Sequence, residues 1–86
     1  MTELSTAQEM ISYIKERVLR DRSIEITVDT PLVTSGLVDS FALIDLLLHL
    51  EKVTRRRIPP GKASPRDMDT VQLMLLTAKR VGAPRG

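Results

Sequence analysis

Asp39 and Ser40 stand together at the threshold of the most apolar stretch of the chain, TSGLVDSFALIDLLLHL from Thr34 to Leu50. A serine at that point can cap a helix, as Ser and Asp commonly do. It can also carry a phosphate ester. The first turn of a helix leaves backbone N–H groups without intrahelical partners, and together with the helix dipole they favour an anion. A phosphodiester on Ser40 would sit in that field. If Asp39 caps the helix, the Ser40 hydroxyl is left to face solvent, and Gly36 lets the chain turn sharply just before it. No second acid, base or nucleophile is spaced to form a catalytic constellation with Ser40, so the chain is not expected to be an enzyme. His49 is the single histidine and there is no cysteine. Neither a histidine cluster nor a thiolate metal site can form, and no disulfide framework exists. His49 is expected to face solvent.

Several elements must hold this pair in position. Residues from about 5 to 20 read as a helix, with Leu4, Ala7, Ile11, Ile14 and Val18 on one apolar stripe and Ser5 with Gln8 as a capping box. Ile24, Ile26 and Val28 alternate like a strand, but no second β-rich run exists to pair with them. Pro31, Ser35 and Gly36 break regular structure further on. The segment is therefore expected to be a long loop over the core, with Leu32 and Leu37 tucked beneath it. The second helix is expected from Asp39 or Ser40 to Arg55 or Arg56. At 100° per residue, Leu43, Leu46, Leu50 and Val53 share a core face, with Ala42 at its edge. Asp45, His49, Lys52 and Arg56 form a polar face, while Phe41, Ile44 and Leu48 fall on a third. Ser64 before Pro65 starts a short helical turn ending near Met68. A last helix begins at Asp69 or Thr70, with Asp69 and Gln72 as a capping pair. Its stripe is Val71, Met74, Leu75, Ala78 and Val81. Gly82 ends it and residues 83–86 are expected to fray. The expected fold is all-α: a small four-helix bundle of three main helices and one short helix, with a long loop between helices one and two.

Composition agrees. The chain has 86 residues, enough for one domain (1–86) and too few for a deep catalytic cleft. Aromatic residues make up only 2%, so the core must be built from aliphatic side chains and Met, which favours packed helices over a small barrel. No signal peptide or membrane-spanning run is visible, and the expected location is the cytoplasm. The formal net charge is +2, with the excess cations in the C-terminal half, notably Arg55, Arg56 and Arg57. Cations there suit a helix C-terminus. A nucleic-acid binder is not expected, because there is no binding motif and almost no aromatic residue to stack on bases.

With Gly36, Leu37, Asp39, Ser40 and Phe41 in place, SGLVDSFALIDLLLHLE resembles the attachment motif of the acyl carrier proteins and the related peptidyl and aminoacyl carrier proteins. IPPGKASPRDMDTVQLML resembles the family's segment from the end of helix two into the last helix, with Ile58, Met68 and the Thr70-Val71 pair at matching places. The resemblance covers the whole chain. It implies a non-enzymatic carrier, a monomer whose Ser40 receives 4′-phosphopantetheine from coenzyme A through a phosphopantetheinyl transferase. An acyl or aminoacyl group is then held as a thioester. Asp39 would help present the serine. Phe41, Ile44 and Leu48, with Asp45 and Glu51, would be read by acyl-loading and acyl-using enzymes as a helix face. The family's discrete members often have a strongly acidic second helix. Here Lys52, Arg55, Arg56 and Arg57 follow Asp45 and Glu51, which points away from fatty-acid synthase enzymes and towards polyketide, nonribosomal-peptide or related secondary-metabolite biosynthesis. The alternative is an unmodified helical adaptor using the apolar face of helix two.

Overall fold

A computed structural model describes residues 3–84. Three α-helices carry it: α1 (Glu3–Tyr13), α2 (Ser40–Thr54) and α3 (Val71–Val81). The all-α class is as expected. The one strand pairing among the described residues is short, with β1 (Arg56–Arg57) antiparallel to β2 (Ala83–Pro84).

α1 buries Thr6, Ala7 and Met10, and Ile14 just beyond it is buried too, so the inward stripe includes Met10 while Ile11 is only partly covered. The Leu4 side chain lies outside the described residues. Because α1 already runs from Glu3, Ser5 is inside the helix and the Ser5–Gln8 capping box is not formed. Past Tyr13 the helix widens into a π-helical stretch, Ile14–Val18, in which the Leu19 N–H reaches the Ile14 carbonyl at 2.8 Å. The extra residue per turn brings both Val18 and Leu19 against the core. Arg20, at φ 53°, ends the run in the left-handed region.

α2 starts where the sequence puts it. Asp39 Oδ1 accepts the Ala42 N–H at 2.9 Å, and the helix stops at Arg55, whose φ of 57° is left-handed. Leu46, Leu50 and Val53 are buried, with Ala42, Leu43 and Leu47 packed beside them. His49 departs from the solvent-facing expectation. It is half-buried, and its ring stacks on Tyr13 of α1 with centroids 3.9 Å apart and planes 9° from parallel. Burial pushes its pKa down; Glu9 pulls it up and Lys52 pushes it further down.

The connector to α3 contains a 3₁₀ turn, Pro65–Met68, with Pro65 leading and a reciprocal capping box between Ser64 and Asp67. Met68 and Ile58 are buried. α3 is capped by Thr70, whose Oγ1 accepts the Leu73 N–H at 3.0 Å. The expected Asp69–Gln72 capping pair is not formed, because both residues are engaged with the chain that precedes α2. The Gln72 N–H donates to the Val28 carbonyl at 3.0 Å, and Asp69 is described below. Val71, Met74, Thr77 and Ala78 turn inward. Leu32 and Ile58 complete a core in which no buried side-chain polar atom of the described residues lacks a partner.

Gly82 follows α3 for lack of room. Its φ of −75° suits any residue, but an added Cβ would overlap the Ala78 carbonyl oxygen and lie 3.0 Å from Arg56 Cβ. The close approach lets Arg56 Nη1 donate to the Gly82 carbonyl at 3.2 Å, and Ala83 and Pro84 then pair with Arg57 and Arg56 instead of fraying. Arg85 and Gly86 lie outside the described residues. Gly82→Ala should therefore lower stability by about 1–3 kcal/mol in urea denaturation, the usual cost of overpacking. Gly61→Ala, where a Cβ would meet nothing within 4 Å, should change stability by less than about 0.5 kcal/mol.

Candidate functional site

Between Leu19 and Asp39 the chain forms no helix or strand, and its backbone must find partners elsewhere. Asp69 supplies them. Its Oδ1 accepts the N–H groups of Leu32, Val33 and Thr34 at 3.2, 2.8 and 3.0 Å, and its Oδ2 accepts the Thr34 hydroxyl at 3.0 Å. The Leu32 N–H also reaches the Asp69 carbonyl at 2.7 Å. The Thr34 N–H is the main cause of a lowered Asp69 pKa, with the Val33 N–H, the Thr34 hydroxyl and the Leu32 N–H adding to it and partial burial opposing it. One carboxylate thus holds three consecutive peptide groups.

From this clamp the chain is led to the serine. The Ser35 hydroxyl donates to the Pro31 carbonyl at 2.6 Å and the Gly36 N–H to the Val33 carbonyl at 3.0 Å. Gly36 has φ 82°, a conformation in which a side chain is strained, so the glycine is required by the turn. The Val38 N–H bonds the Leu32 carbonyl at 2.9 Å, and Val38 is buried beside Leu32. Leu37, expected beneath the loop, is instead turned outward by the Gly36 turn, and Val38 takes its place.

Asp39 and Ser40 come next, both exposed. Asp39 is occupied as the cap, and among the described residues the Ser40 hydroxyl has no hydrogen-bond partner. The Asp39 carboxylate and carbonyl take up the N–H groups of Ala42 and Leu43. The N–H groups of Ser40 and Phe41 remain at the open end of the helix. A phosphodiester on Ser40 fits this arrangement: the hydroxyl is accessible, and unpaired N–H donors of the same helix start lie beside it.

Phe41, Ile44 and Leu48 are 83%, 61% and 59% exposed, so the third face of α2 is a solvent-facing apolar strip. Asp45 is exposed on the same side. Glu51 is not part of that surface: it is half-buried and its Oε2 accepts the Ile58 N–H at 2.7 Å, which ties the connector to α2. Among the described residues no three His, Asp or Glu side chains are grouped to hold a metal ion, and no helix is long and apolar enough to cross a membrane. Comparison with protein-family models, with curated proteins and with solved structures finds no match to this chain.

Removing the clamp tests how the serine is positioned. Asp69→Ala should cost about 1–2 kcal/mol, towards the lower end for a charged acceptor because the carboxylate is partly solvated. Backbone amide exchange at Val33 and Thr34 should accelerate in the variant. Because folding lowers the Asp69 pKa, its contribution is complete above the ordinary carboxyl value of 3.8 and is lost as pH falls through the lower folded value. Stability curves of wild type and variant should therefore converge in acid.

Proposed function

We propose that this chain is a carrier protein, bearing 4′-phosphopantetheine on Ser40 and holding an acyl or aminoacyl group on it for polyketide, nonribosomal-peptide or related biosynthesis. On this reading its three helices and the Pro65–Met68 turn correspond to the four-helix carrier bundle, and the segment before Asp39 to the long loop of that bundle. The observation that carries the proposal is the exposed Ser40 hydroxyl, unpartnered among the described residues at the start of α2, directly after a capping Asp39. The Gly-Leu-Val-Asp-Ser-Phe run from Gly36 to Phe41, which resembles the carrier attachment motif, supports it independently.

In the modification, the Ser40 Oγ would bond to the phosphorus of the phosphopantetheine moiety of coenzyme A. The pyrophosphate linkage would break and the adenosine bisphosphate would leave. The hydroxyl proton would pass to a base on the transferase, since the neighbouring Asp39 carboxylate is engaged as the helix cap. Once attached, the arm supplies a thiol whose thioester keeps the acyl carbon electrophilic. The protein's own part is to hold Ser40 in reach on a rigid helix start, to stabilise the phosphodiester with the helix dipole, and to offer Phe41, Ile44, Leu48 and Asp45 to the enzymes that load and use the cargo.

The exposed apolar strip also suits a second reading, an unmodified adaptor that binds a partner through α2. Two variants separate them. Co-expressed with a broad-specificity phosphopantetheinyl transferase, wild type should gain the mass of one phosphopantetheine and Ser40→Ala none. If wild type stays unmodified while Ile44→Asp alone abolishes biological activity, the adaptor reading takes over.

A further inference from the structure

We infer that the outward strip of α2 selects a partner enzyme whose docking hollow is apolar in the centre and rimmed by carboxylates. The inference rests on the carrier reading for the partner's being an enzyme. Phe41, Ile44, Leu48 and Lys52 succeed one another at spacings of three and four, which keeps them on one side of α2, and Arg55 follows at the left-handed end of the helix. All five are exposed. The strip is therefore apolar over its first half and cationic at its far end. Neither Lys52 nor Arg55 has an ion pair or hydrogen-bonded partner among the described residues for its side chain.

The acids of α2 do not offset this charge. Glu51 is committed to the Ile58 N–H and half-buried, which leaves Asp45 as the one free carboxylate of the helix beyond its cap. The neighbouring surface of α1 and the π-helical stretch after it brings Glu9 and Glu16 together with Arg17 and Arg20, so it adds no net negative charge beside Lys52. The helix dipole favours cations at this end, but it does not account for an apolar strip leading into them. An acidic rim would pair with the cationic end and steer the approach, while the apolar half fills the hollow. The apolar part spans residues 41 to 48, about 10 Å of helix, short for an interfacial membrane helix and suited to a groove.

Two synthetic helical peptides with the same leucine stripe, one flanked by glutamates and one by lysines, test this by NMR titration of the isotope-labelled full chain. The glutamate peptide should shift the amides of Phe41, Ile44, Leu48 and Lys52 and bind roughly tenfold more tightly at low salt, with the preference shrinking as salt is added. The double variant Lys52→Glu/Arg55→Glu, altered only at exposed positions, should keep its helical circular dichroism and reverse the preference. Equal affinities, no binding of either peptide, or a preference for the lysine peptide would overturn the inference. So would co-sedimentation with phosphatidylserine vesicles that the double variant loses, or a dimer in analytical ultracentrifugation that Ile44→Asp dissociates. Ser40→Ala should leave the peptide preference intact, so loss of the carrier reading and loss of the charge preference are separate outcomes.

Discussion

A single carboxylate, that of Asp69, holds the approach to α2 in place. Three successive peptide N–H groups, 35 to 37 residues away in sequence, converge on one of its oxygens. A segment without strand partners has few ways to satisfy such a run, and an ionised carboxylate, with about four acceptor sites, can do what a neighbouring strand would do. The clamp sits between two buried anchors, Leu32 and Val38, which are themselves joined through the Leu32 carbonyl. Everything that fixes the start of α2 follows from this point: the Gly36 turn, the inward Val38 and the Asp39 cap.

α2 then meets two opposing demands. One side must supply Leu46, Leu50 and Val53 to a small core, and the other leaves Phe41, Ile44 and Leu48 in water. In a chain with two aromatic residues, leaving Phe41 83% exposed sets aside one of the largest contributors a core of this size could use. On the carrier reading proposed above, this patch is the surface that the partner enzymes read. The strip continues into Lys52, with Arg55 at the helix end, so the far end of this surface is cationic.

Much of this was legible in the sequence where the determinants are local. Periodicity located α2 to within a residue, because its cap, its apolar repeat and its terminus lie within one continuous stretch. Ser64 and Pro65 announced the short turn for the same reason. What pattern reading missed depends on groups distant along the chain. Asp69 reads as a helix cap beside Gln72, and nothing near it in sequence reveals that its partners lie at Leu32 to Thr34. Glu51 reads as a surface acid, yet its partner is the Ile58 N–H beyond the helix end. Leu37 and Val38 are neighbours of similar character, and which one turns inward was decided by the φ of Gly36 and by the Val38–Leu32 hydrogen bond. The strained terminus at Arg55 gave no sequence signal, since left-handed geometry usually selects glycine or asparagine.

The stack of Tyr13 on His49 joins α1 to α2 through the chain's one tyrosine, in a protein without tryptophan. All intrinsic ultraviolet emission from aromatic side chains other than Phe41 therefore originates at this joint. Its intensity is a built-in optical gauge of whether the two helices remain in register, readable without any attached dye. Because the imidazole lies against the phenol ring, the same signal also registers the gain or loss of a proton there.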